Sequence, residues 1–110
     1  MKFKINENKL EKIIFKYLEG KNFIIKETPE NYYFIENEED KYSQIRVRKN
    51  DMVCFIYYKL IEEIKLFFSI EAPTAKKGLT RYVENTLNIR VYNTFKDGLL
   101  GIKVVENTLN

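Results

Sequence analysis

The stretch Gln44-Ile45-Arg46-Val47-Arg48 carries the sharpest chemical signal in the chain. An extended backbone turns successive side chains to opposite faces. Gln44, Arg46 and Arg48 then share one face, and Ile45 and Val47 the other. Two arginines about 7 Å apart on a sheet face form a fork that grips phosphate oxygens bidentately. Lys59, near the end of the next apolar stretch, joins them if the chain doubles back at Asn50-Asp51. Cations on the solvent side of an antiparallel sheet are also common, so an ordinary exposed face stays open as the alternative.

Carboxylates supply the other half of phosphate chemistry, because a bridging metal ion needs oxygen ligands. Glu27, Glu36, Glu63, Glu71, Glu84 and Glu106 lie on or beside expected strands, but none forms an E-x-E pair on one strand face. The acidic run Glu36, Glu38, Glu39, Asp40 lacks calcium-loop spacing and reads as a solvated loop. With no His and one Cys, Cys54, the chain has neither a Ser-His-Asp nor a Cys-His nucleophile system, and no ordinary zinc site. It has no Gly-rich phosphate loop either. Its eight Tyr and eight Phe concentrate at Tyr32-Tyr33-Phe34, at Phe55, Tyr57 and Tyr58, and at Phe67-Phe68. Aromatics interleaved with Lys and Arg on a sheet stack the bases of single-stranded RNA. The same residues fill the core of a small β protein.

A length of 110 residues accommodates one domain, 1–110, since halves of it would be too small for stable cores. A composition 45% hydrophobic and 32% charged belongs to a folded chain. The net charge of +3 is too mild to name a nucleic-acid partner by itself. No apolar run approaches the roughly 20 residues of a membrane span, so no membrane partner is expected. Met1-Lys2-Phe3-Lys4 turns polar too soon for a secretory signal, and one cysteine forms no intrachain disulfide. A cytoplasmic location follows as the expectation.

One helix is predicted over 8–19, where Leu10, Ile13, Ile14, Tyr17 and Leu18 repeat at helical spacing. Asn6 or Asn8 can cap its start, and Gly20 is placed for a left-handed C-terminal residue. Strands are predicted over 2–5, 22–27, 32–36, 42–49, 52–60, 63–71, 79–86, 88–95 and 99–108, from β-branched and aromatic enrichment and alternation. Loops are predicted over 72–78, which holds Pro73 and Gly78, and at Lys96-Asp97-Gly98. The class is α+β, with one N-terminal helix and a long antiparallel meander. Val83-Glu84-Asn85-Thr86-Leu87-Asn88 recurs once, at 105–110, without the third copy a solenoid needs.

The order of these elements resembles the CYTH family, the triphosphate tunnel enzymes that include class IV adenylate cyclases, thiamine triphosphatases and inorganic triphosphatases. Lys2-Phe3-Lys4-Ile5, the helix over 8–19, Phe23-Ile24-Ile25-Lys26-Glu27 and Tyr32-Tyr33-Phe34 resemble the family's opening. Ile45-Arg46-Val47-Arg48-Lys49 is similar to its R-x-R strand, and Lys59 to the lysine ending the next one. Ser69-Ile70-Glu71-Ala72-Pro73, Thr80-Arg81-Tyr82-Val83, Val91-Tyr92-Asn93-Thr94-Phe95 and the strand through Gly101-Ile102-Lys103 to Glu106 resemble its later motifs. The resemblance implies an antiparallel barrel or tunnel of about eight strands. One wall would be basic, from Arg46, Arg48, Lys59, Arg81 and Lys2, and the other acidic, for Mg²⁺ or Mn²⁺. On the acidic side only Glu71 and Glu106 match. The E-L-D position reads Val91-Tyr92-Asn93, and no E-x-E-x-K signature precedes Lys2.

Cations kept while metal ligands are lost leave binding intact and weaken chemistry, since one lost electrostatic contact to a transition state costs roughly 2.7–4 kcal/mol. The expectation is a degenerate tunnel domain that binds a polyphosphate-bearing ligand (triphosphate, nucleotide or RNA 5′ end) with weak or no catalysis and no required cofactor. Two alternatives stand beside it. One is a phage or mobile-element inhibitor that binds a host protein. The other is an active metal-dependent triphosphatase or adenylate cyclase holding Mg²⁺ or Mn²⁺ at Glu71 and Glu106. Unpaired strand edges would close by homodimerising.

Overall fold

A computed structural model describes residues 7–98 and 101–105. The strand expected over 2–5 lies outside them, as do Lys2, Glu106, the Asn6 cap and most of the second Val-Glu-Asn-Thr-Leu-Asn copy. Helix α1 spans Glu7–Glu19 and buries Ile14 and Leu18, as the spacing predicts. Ile13 departs from the expected stripe at 45% exposed, and Phe15 packs inward instead. Gly20 continues the helical turn, its N–H donating to Lys16 O at 3.1 Å. The left-handed residue is Asn22, at φ 55°, a conformation asparagine tolerates.

Four strands then run as an antiparallel meander: β1 (Ile24–Glu27), β2 (Asn31–Ile35), β4 (Ile45–Arg48) and β5 (Val53–Tyr57). Between β2 and β4 a short β3 (Tyr42–Ser43) leaves this sheet and pairs with β7 (Ile102–Lys103). After β5 the chain forms two helices, α2 (Tyr58–Phe68) and α3 (Ala72–Leu87). It returns as β6 (Asn93–Asp97), which lies parallel to β5. A parallel neighbour cannot be reached by a tight turn, and here the two helices form the required crossover.

The strand order β1-β2-β4-β5-β6 ends at two sheet edges, so the eight-stranded antiparallel tunnel is replaced by an open mixed sheet. The α+β class stands, with three helices rather than one among the described residues. The strand expected over 52–60 stops at Tyr57, and 63–71 lies mostly in α2. The loop over 72–78 and the strand over 79–86 form a single helix. Of the stretch 88–95, only the last part belongs to β6.

The physical reasons are local. Leu60, Ile61 and Ile64 bury one helical face, a spacing masked by the β-branched and aromatic residues around them. Ala75, Leu79, Tyr82 and Val83 do the same for α3. Pro73 occupies the first turn of α3, where a missing N–H costs nothing. Gly78 is a packing contact: a Cβ there would lie 2.6 Å from Ile14 Cδ1 and 3.2 Å from Ile14 Cγ2.

Gly78→Ala therefore tests the α1–α3 seam. Helix propensity favours alanine by about 0.5–1 kcal/mol, but crowding a stiff, fully buried Ile14 costs about 1–3 kcal/mol. The expected net loss is about 1 kcal/mol, read by calorimetry as a fall in Tm of about 4 °C. A Tm that rises would mean the seam is looser than described.

All three helices cover one sheet face. There Phe34, Ile45, Val47, Cys54 and Ile56 meet Ile14, Leu18, Ile64, Leu79 and Val83. On the opposite face Tyr33, Ile35, Tyr57 and Ile102 are buried outside that cluster. The Val105 N–H donates to Tyr33 Oη at 3.2 Å, and Ser43 Oγ donates to Ile102 O at 2.9 Å. The β3–β7 ribbon thus closes one end of this second face and leaves the other end open.

Candidate functional site

The open end of the second face is built on β4. Arg46 stands opposite Tyr33 on β2 and Phe55 on β5, and Arg48 opposite Asn31 and Val53. Ile45 and Val47 are buried in the core, which fixes the register and forces both arginines outward. Phe55 in turn pairs with Phe95 of β6, their ring centroids 6.0 Å apart and the planes tilted 31°. The two arginines therefore share a face, as their alternation predicts.

Both guanidiniums lie over one ring. Arg46 Cζ is 4.5 Å from the Phe55 centroid and Arg48 Cζ 5.1 Å. The negative ring face offsets part of the repulsion between these neighbouring cations. Asp51 offsets more of it. Arg48 Nε donates to Asp51 Oδ1 at 3.0 Å and a terminal N–H donates to Oδ2 at 2.8 Å. This bidentate pair holds the Asp51 carboxyl below its ordinary range and raises the arginine's proton affinity. Nearby, Lys49 Nζ lies 2.6 Å from Glu27 Oε2 and over the Tyr32 ring.

Arg46 differs from these. No carboxylate among the described residues pairs with it, and its Nε is buried without a hydrogen-bond partner. Asn31 Oδ1 is buried in the same condition. Both residues line a cleft of about 600 Å³, together with Pro29, Glu30, Arg48, Lys49 and Asn50. An unsatisfied buried polar atom costs about 1–3 kcal/mol, which a polar group seated in the cleft would recover.

The other expected cations do not converge here. Lys59 is exposed in the first turn of α2, beyond the end of β5 away from Arg48. Arg81 lies on α3, in the helical layer across the sheet, 2.7 Å from Glu84 Oε1 and 3.9 Å from Glu11 Oε1. It lines a separate groove between α1 and α3, with Phe15 and Tyr82 at the base. Glu71 is exposed at the start of α3. Among the described residues no group of three or more His, Cys, Asp or Glu side chains gathers to hold a metal ion. No described helix is long and apolar enough to cross a membrane.

The sequence points to neither Asn31, which lines the cleft, nor Phe95, which lies outside it on the same sheet face. Phe95 becomes part of the face only through the parallel pairing of β6, which leaves no short-range trace in sequence. A third polar cluster joins Tyr17 Oη and Lys21 Nζ on Glu63 Oε2, at 2.5 and 2.6 Å. The Glu63 hydrogen bond helps push the Tyr17 phenol up to about 12, and the cluster stitches α1 to α2. No protein-family model, curated protein or solved structure matches the chain, so the geometry alone carries the functional argument.

Proposed function

We propose that the chain is a binding module for a phosphate-bearing ligand, held on the open sheet face by Arg46 and Arg48. The observation that carries this reading is Arg46. No carboxylate among the described residues pairs with it, its Nε is buried without a partner among them, and it stands beside a second guanidinium in a cleft of about 600 Å³. A planar guanidinium suits phosphate oxygens because it offers parallel N–H donors. Asp51 engages one edge of Arg48 and leaves its remaining N–H donors for an anion. Glu30 is the one carboxylate among the residues lining the cleft, and Asp51 and Glu27 near it are held by cations, a set too sparse for metal-assisted turnover and better suited to binding.

Calorimetric titration with inorganic triphosphate and with ATP, each with and without Mg²⁺, tests the proposal. Metal-independent binding is expected, weakened at least about tenfold in Arg46→Glu, since a hydrogen bond to a charged group contributes about 1.5–3 kcal/mol. Equal affinity in the variant would overturn it. The alternative of a protein-binding module has its own observation in Leu66 and Phe67, 76% and 64% exposed on α2. Absence of any polyphosphate binding would move the argument there.

A further inference from the structure

We infer that the ligand of this face is single-stranded nucleic acid, with a phosphate at Arg46 and an unstacked base on Phe95. The inference rests on the phosphate-binding reading and adds the group that a bare triphosphate lacks. Phe95 is the one apolar residue of β6, where it stands among Asn93, Thr94, Lys96 and Asp97 with 46% of its surface exposed. Its partner Phe55 is already covered by the two guanidiniums, so Phe95 is the ring of the pair that offers surface to a ligand. An inorganic triphosphate would leave that surface in water. A nucleotide base would cover it.

The spacing fits one nucleotide. Strands β4 and β6 are two inter-strand steps apart, about 10 Å, and both guanidiniums lean over Phe55 into that interval. A phosphate at the guanidinium and a base at the ring are then separated by about the width of a sugar. A duplex keeps its bases stacked and offers Phe95 no free base face, so the stacking contact selects a single strand. Charge sets the direction of the strand. Asp97 shares the face with Phe95 and stands at the Tyr57 end, whereas Arg48 stands at the Val53 end with Asn93 beside it. The backbone therefore runs from Phe95 toward Arg48 and Asn31, away from the carboxylate. Asn93 is positioned two residues from Phe95 to meet a base edge.

The test uses fluorescence anisotropy with unstructured uridine and thymidine decamers, alongside triphosphate calorimetry on the same proteins. Phe95→Ala is expected to weaken decamer binding about 5- to 150-fold, the fold-change for one base–aromatic stack of about 1–3 kcal/mol. It should leave triphosphate affinity unchanged, and Phe95→Tyr should keep decamer binding. Two phosphate contacts predict that log K falls with log salt at a slope of about −1.4. Circular dichroism shows whether each variant is folded, as expected for an exposed position. Equal decamer binding by wild type and Phe95→Ala overturns the inference while triphosphate binding preserves the phosphate reading. So does an abasic decamer that binds as tightly as the uridine one, or a glutamate-rich peptide that competes equally well. Failure of both decamers and triphosphate to bind overturns the two together.

Discussion

Phe34→Ala is expected to lower the free energy of unfolding by about 3–5 kcal/mol, the cost of emptying a fully packed aromatic site. Phe34 is wholly buried on β2, with ring centroids 6.2 Å from Phe23 and 5.8 Å from Tyr82. It therefore joins the sheet to α3 as well as filling volume. A small domain has only about 5–15 kcal/mol in total, so the variant sits near the threshold of folding. The measurement is a urea titration in which the midpoint falls while the slope stays constant. Leu66→Ala is the control, since a side chain 76% exposed changes stability by no more than about 0.5 kcal/mol. A loss below about 1 kcal/mol for Phe34→Ala would mean that the helices do not seal this sheet face as described.

How much of this architecture is written locally differs between the two halves of the chain. In the first half the signal is clean. Helical spacing marks α1, and strict alternation through Ile45, Arg46, Val47 and Arg48 matches the observed burial. A meander is built from turns between neighbours, so short windows contain its determinants. In the second half, α2 begins directly after Tyr57 with no side-chain cap on its first turn and no acidic residue there. Nothing at the boundary announces the change from period two to period 3.6. Composition then misleads, because isoleucine and phenylalanine favour strands when counted but serve a helix when spaced. Pro73 and Gly78 deepen the error: both usually punctuate loops, yet one starts a helix and the other lets Ile14 approach it.

The site follows the same division. Arg46 and Arg48 were found by alternation because neighbouring positions on one strand need no tertiary information. Arg81 joins them only through the family resemblance of Thr80-Arg81-Tyr82-Val83, which requires a strand there. As a helix, α3 carries that residue to the far side of the sheet, where Glu84 and Glu11 hold it. Phe95 shows the converse. Its place beside Phe55 depends on a crossover of two helices, so this ring contact joins residues far apart in sequence.

Cys54 offers a direct reading of whether that crossover is as firm as the meander. The thiol is fully buried on β5, opposite Val47 on one side and Thr94 of β6 on the other. Burial pushes it from an ordinary 9.0 up to about 12. At about pH 8 the folded protein then holds a thiolate fraction of about 10⁻⁴. Alkylation should be at least about 1,000-fold slower than for a free cysteine, with access to the sulfur slowing it further. The sign with pH is fixed as well. A raised folded value contributes stability that is complete below the unfolded value of about 8.5 and is lost as pH climbs toward 12. Labelling should therefore accelerate through that window faster than thiolate formation alone requires. Combining the probe with Phe34→Ala separates two routes. If the thiol is reached only by global unfolding, the variant raises the labelling rate in proportion to its lost stability, about 150-fold or more for 3 kcal/mol. If β6 peels from β5 alone, breaking the 2.7 Å Thr80–Thr94 hydroxyl contact, the rate barely responds to Phe34→Ala. The parallel register of β6 also buries part of Ile56's strand and seals Cys54 beneath α3, so the first outcome is expected. Rapid labelling of the folded wild type would remove β6 from its place beside β5, and Phe95 from its place beside Phe55 with it.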